Sequence, residues 1–128
     1  MGKPKKCITR VRAKELSAEW WKTRGKAIED VDKIKDICAV NFSIEELEQY
    51  LAYVKENSKG VKKPGITIWM ASYPEDDQDK RKGYSTVFLS PTKMKAEGTY
   101  GEEENDFEEN EEIEPYNHGA GLWPPGAY

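Results

Sequence analysis

His118 is the single histidine of the 128-residue chain, and Cys7 and Cys38 are its two thiols. A Cys–His nucleophile would need one of those thiols to meet the imidazole in space, with a third group orienting the ring. Nothing in the spacing predicts that meeting. His118 lies in "YNHGAG" beside Gly119 and reads as a loop histidine. Cys38 precedes an apolar stretch and reads as a small buried hydrophobe. An enzyme built on this chain would have to assemble a dispersed site from residues such as Tyr116, His118 and Asp77. That is the alternative to a non-catalytic reading, which the missing chemistry favours.

Metal and phosphate chemistry find no better footing. In "PEDDQDKRKG", Asp77 and Asp79 invite comparison with a calcium loop, yet Arg81 and Lys82 fall where a ligand and a glycine are required. The strip "EEENDFEENEEIE", residues 102–114, would collect cations weakly, as any polyacid does, without fixed geometry. Neither GxxxxGK[ST] nor GxGxxG occurs. The residues therefore imply no cofactor and no metal. The two cysteines lack metal-ligand spacing and form no disulfide framework, so the expectation is a reduced, cytoplasmic protein. The start carries positive charge without an apolar run, and no stretch approaches membrane-spanning length. Gly2 lacks the Ser or Thr at position 6 that lipidation would want.

Charge is unevenly distributed. The formal net charge is -4, but all 20 basic residues precede residue 96, against 15 acids before Glu102. The strip 102–114 carries the other nine acids and no base. The body is mildly basic and the strip strongly acidic. Lys3, Lys5, Lys6, Arg10, Arg12 and Lys14 cluster near the start, with Lys80, Arg81 and Lys82 in a later loop; Trp20, Trp21 and Trp69 could stack on bases. A surplus of five is too small to imply nucleic acid, and the acidic strip would compete for the same surface. A nucleic-acid accessory role is a further alternative.

The elements that must hold these groups follow from periodicity. From Thr9, residues Val11, Ala13, Leu16, Trp20 and Trp21 predict a helix that Gly25 ends or interrupts. Ile28, Val31, Ile34 and Ile37 predict a second short helix, or a turn of 3₁₀, with a narrow apolar edge, and "CAVNF" a short strand. Ser43 and Glu46 form a capping box ahead of a stripe of Ile44, Leu47, Leu51 and Val54, with Tyr50 beside it and Gly60 closing. "GITIWMASY" and "YSTVFLSPT" predict a long-looped hairpin whose second strand halts at Pro91. The fold class is α+β: a small antiparallel sheet of about three strands, helices on one face, in the order α-α-β-α-β-β, then an acidic tail.

The progression "GITIWMASYPEDDQ…GYSTVFLSPT…PYNHGAGLWPP" resembles a group of small uncharacterised bacterial proteins common in Bacteroidetes. Their pattern is a helical N-terminal half, a hairpin and a C-terminal Pro-Pro segment, over roughly residues 9 to 125 here. Cysteines that accompany the Pro-Pro in that group are replaced by Trp123, Gly126 and Ala127. The resemblance implies the architecture and no activity.

The expected organisation is a flexible basic end at 1–8, one α+β domain at 9–95, an acidic linker at 96–115 and an aromatic segment at 116–128. In that last segment Tyr116, Leu122 and Trp123 are expected to dock on a sheet face exposing Trp69, with Pro124 and Pro125 holding the chain extended. A free polyproline-type ligand for a partner is the competing reading. The function expected is binding or regulation of another protein, a basic one if the acidic strip steers the encounter. Self-association is left open.

Overall fold

Thr9 starts the first helix: its hydroxyl accepts from the Arg12 N–H at 3.0 Å, satisfying one of the amides a helix start leaves orphaned. The structure, a computed structural model, describes residues 2–78, 80–95 and 107–121. Helix α1 (Arg10–Trp20), a π-helical turn (Trp21–Gly25) and α2 (Lys26–Asp32) follow one another without a break. Gly25 therefore does not end the helix, and its φ of -59° is ordinary helix. The Lys26 N–H donates to the Trp21 carbonyl five residues back, which widens the turn. In that turn a Cβ on Gly25 would lie 2.6 Å from Trp21 Cε3. Glycine is there to make room for an indole.

Helix α2 stops at Lys33, which takes the left-handed conformation (φ 60°) and returns its N–H to the Glu29 carbonyl. That is earlier than the spacing of isoleucines predicts. Val31 is exposed, while Ile37 is buried in the extended segment beyond the helix. The isoleucine and valine spacing came from two different structures, and so made no single edge.

The chain forms two compact units, one comprising the chain up to Val40 with Gly121, the other Asn41–Ala120. Short strands β1 (Val40–Asn41) and β5 (Ala120–Gly121) pair with each other in a two-stranded sheet.

The second unit is built on α3 (Ile44–Asn57), β2 (Gly65–Ser72), β3 (Ser85–Met94) and β4 (Phe107–Glu109), with sheet order β2-β3-β4, all antiparallel. The molecule is α+β. Ser43 Oγ accepts from the Glu46 N–H at 3.0 Å, as the capping box requires. The buried face of α3 is Tyr50 and Val54 with Leu47 alongside; Ile44 and Leu51 face solvent. These side chains meet Leu89 of β3 and Ile113, with Ile66 and Tyr116 at the margin. Gly60, in the turn after α3, and Gly83, in the loop between β2 and β3, both take positive φ.

Two features of the sheet depart from expectation. Pro91 does not halt β3: it pairs with Ile66 and is almost wholly buried. Leu89 exchanges both backbone bonds with Tyr116 at 2.8 Å, so β3 alternates with Leu89 and Pro91 facing that side. Pro91 offers its carbonyl to the Asn110 N–H at 2.9 Å, and its missing N–H falls where the facing chain bends away. The third strand also comes from the acidic strip. Phe107–Glu109 pairs with Thr92–Met94, and Ile113 is 3% exposed. The strip holds two apolar residues among its acids, and both fall in this folded part.

Candidate functional site

Strand β2 is an edge of the three-stranded sheet, and the ladder fixes what that edge presents. Because Leu89 and Pro91 turn their backbone groups away from β2, their partners Ile68 and Ile66 turn theirs outward, and so do Met70 and Ser72. The side chains here are apolar and solvent-facing: Ile68 is 65% exposed, Trp69 43% and Met70 83%. From Gly65 to Tyr73 the segment carries no Asp, Glu, Lys or Arg. The devices that ordinarily blunt an edge are missing along its length, and Pro64 and Pro74 only bound it.

Trp69 stands opposite Phe88 with rings nearly parallel, 14° apart and 6.2 Å between centroids. Its indole N–H donates to Glu109 Oε1 at 2.7 Å, and the Ser90 hydroxyl donates to Glu109 Oε2 at 3.3 Å. A carboxylate of β4 thus reaches the central strand through Ser90 and the far strand through Trp69, both neutral donors. The arrangement orients the tryptophan; it does not form a proton-transfer pair.

The beginning of the C-terminal segment lies on the second unit, and not over Trp69. Tyr116 bridges to Leu89, whose side chain faces the opposite side of the sheet from Phe88. Its ring meets Tyr50 (4.8 Å) and Phe42 (5.7 Å). Strand alternation explains the difference: a residue paired with Leu89 cannot share the face of Phe88. Asn117 then donates to the Val87 carbonyl at 2.7 Å and accepts from the Tyr73 hydroxyl at 3.0 Å. Leu122, Trp123, Pro124 and Pro125 lie outside the described residues.

His118 takes positive φ (69°) and is exposed, its Nδ1 3.3 Å from an Arg81 guanidinium nitrogen. Arginine can only donate, so Nδ1 is the unprotonated acceptor. Arg81 also donates to the Gly119 carbonyl at 3.2 Å and lies over the Tyr73 ring at 4.8 Å. This corner fastens the segment to the hairpin loop. Tyr116, the other member of the dispersed-site alternative, is part of the aromatic core, and Asp77 belongs to the loop after Pro74.

The acidic strip is gripped through its backbone. The Tyr50 hydroxyl lies 3.0 Å from the Glu114 carbonyl and 3.3 Å from that of Leu89, while the Tyr53 hydroxyl accepts from the Glu114 N–H at 3.2 Å. Burial pushes the Tyr50 hydroxyl up to about 12, with neighbouring Tyr53 and the charge of Glu109 adding to the effect. The carboxylates of Glu111, Glu112 and Glu114 remain outside.

In the first unit, Trp20 and Trp21 meet edge to face at 5.0 Å, and Lys35 Nζ lies 5.2 Å from the centroid of the Trp21 ring. The Trp21 indole N–H is buried without a partner among the described residues. Asp36 is 2% exposed and accepts from the Ile37 N–H at 2.8 Å. Cys7 is exposed and Cys38 half-buried, and neither is in a disulfide. Among the described residues, no three His, Cys, Asp or Glu side chains gather as a metal site, and no helix is long and apolar enough to cross a membrane.

What these features define is an α+β protein with one polar, strapped edge and, among the described residues, one apolar edge that no strand pairs with. Comparison with protein-family models, curated proteins and solved structures gave no match. Sequence reasoning singled out Trp69 and passed over Ile68 and Met70 beside it. The signal was present, as an uncharged run between two prolines.

Proposed function

We propose that this chain is a non-catalytic protein-binding domain whose working surface is the open edge of β2. The carrying observation is that Ile68, Trp69 and Met70, three consecutive large apolar residues, are all exposed on an uncharged edge strand. Such an edge offers main-chain hydrogen bonds to an extended segment, and alternating side chains for selectivity. Left uncovered, it is an aggregation template. The exposed carboxylates after β4 lie about two strand spacings away, roughly 10 Å, within reach of electrostatic steering at moderate salt. A basic extended partner suits that field. Neither Cys7 nor Cys38 is in a disulfide, which suits a reducing compartment, and work in the cytoplasm is part of the reading.

The test is to pan a displayed library of extended peptides against the full chain and against Met70→Lys. Enrichment of β-branched, uncharged or basic sequences that is lost with Met70→Lys supports the proposal. Enrichment that survives the substitution, or no enrichment at all, overturns it.

A further inference from the structure

The open edge also specifies one occupant. We propose that β2 pairs antiparallel with β2 of a second copy of this chain, about a two-fold axis at Trp69; this rests on reading β2 as the binding edge. Three observations carry it, and each concerns a different property of the segment.

The first is length. Pro64 and Pro74 bound the run, and Trp69 is its midpoint. An antiparallel register centred there sets Pro64 against Pro74 of the second copy, so both ladders end together at residues that lack an N–H, and every pair between them can be fully bonded. Centring one residue earlier would set Pro64 against Ser72, whose outward carbonyl would then lack a donor. The register that uses the whole strand is thus the symmetric one.

The second is hydrogen bonding. Ile66, Ile68, Met70 and Ser72 turn their backbone groups to the free edge. In the Trp69-centred register Ile68 meets Met70 of the second copy and Ile66 meets Ser72, each pair occurring twice and exchanging two bonds, about eight in all. On one face the exposed Ile68 and Met70 cover each other across the axis. On the other, the two Trp69 rings stand directly opposite and extend the Trp69–Phe88 stacks into a row of four aromatics.

The third is charge. The segment before β2 carries Lys62 and Lys63, and the segment after it Glu75 and Asp76. The chain turns off the strand at both ends, at Lys63 (φ 44°) and in the turn closed by the Asp77 N–H on the Pro74 carbonyl. Antiparallel pairing therefore brings the basic end of one copy near the acidic end of the other, without residue-by-residue register. A parallel arrangement would set like charges together. The flanks therefore select the antiparallel pairing that the prolines allow.

Sedimentation equilibrium of the full chain across a concentration series tests this, with Met70→Lys, with the basic end reversed (Lys62→Glu, Lys63→Glu), with the acidic end reversed (Glu75→Lys, Asp76→Lys) and with both reversed. The expected result is a dimer whose dissociation constant rises about tenfold or more with Met70→Lys, since two symmetric pairs are lost. Reversing either end weakens it by about threefold, and reversing both returns it to near the starting value. Amide exchange at Ile68 and Met70 should slow with protein concentration. A dimer indifferent to Met70→Lys, or charge changes that do not rescue one another, overturns the proposal. A monomer throughout, with peptide capture still dependent on Met70, overturns self-pairing alone. A monomer with no such capture removes the binding edge as well.

Discussion

Ile113 is the residue on which the folded status of the acidic strip turns. Replacing it with Ala removes the apolar group that the strip inserts beside Tyr50, Val54 and Leu89, at a site only 3% exposed. Truncating a buried Ile to Ala costs about 2–5 kcal/mol, the upper part of the range applying where neighbours cannot collapse into the gap. Here two walls are held by hydrogen bonds: Tyr50 reaches the Glu114 carbonyl, and Leu89 is tied on both sides to Tyr116. Collapse is therefore restricted, and a loss of about 3 kcal/mol is expected. In a unit of this size that lowers the melting midpoint by roughly 12–24 °C. Thermal and urea unfolding of the full chain, followed by amide exchange in α3 so that the second unit is read by itself, gives the comparison. Glu112→Ala, two residues from the same backbone clamp and exposed, is the control and should change stability by about 0.5 kcal/mol or less. If Ile113→Ala behaves like the control, the strip is a tether and the third strand adds nothing to the fold.

The remaining predictions concern the core phenol and the wide turn. The Tyr50 hydroxyl holds its proton to about 12, against 10 when unfolded, so the unfolded chain ionises first. Stability should be intact below pH 10 and fall by about 2–3 kcal/mol as pH rises through that interval; Tyr50→Phe should lower stability at neutral pH but flatten this decline, and parallel losses in the two proteins would refute the assignment. Gly25→Ala should destabilise the first unit by about 1–2 kcal/mol, overpacking against Trp21 outweighing the better helix propensity of Ala. Near-ultraviolet circular dichroism of the indoles reports it, and a stabilised variant would show that Trp21 does not occupy the turn as described.

The legible parts of this fold were those written in local chemistry. The Ser43–Glu46 cap, the positive-φ glycine at 60 and the alternation of β2 each depend on neighbours in sequence. The illegible parts depend on partners far along the chain. Pro91 is acceptable in β3 only because Asn110 asks for its carbonyl and nothing asks for its N–H. Phe107 and Ile113 were hidden among acids, since a charge count does not register two apolar residues placed at a strand and a turn. Gly25 has the same identity whether it stops a helix or admits an indole, and only the position of Trp21 decides. For the candidate site, Trp69 was visible as an aromatic in a strand. Its exposure was not, because which strand lies at an edge depends on where the acidic strip joins the sheet.

That junction also decides what an open edge can lead to. The sheet has two edges, and they are not equivalent. β4 is three residues long, two of them glutamates, and more carboxylates follow it directly. A short, charged edge of this kind resists pairing with another chain. β2 is eight residues long and uncharged. Pairing β2 with β2 uses the same patch on both copies, so the contact closes on itself. What then remains at each end of the six-stranded sheet is β4, with its glutamates. Growth beyond two copies would need either a third receptive edge or approach of one acidic strip to another, and the repulsion between those strips opposes the second. The acidic strip would thus act twice in the same architecture: Ile113 and the clamped backbone of Glu114 complete the core, and the carboxylates around them limit association to a pair.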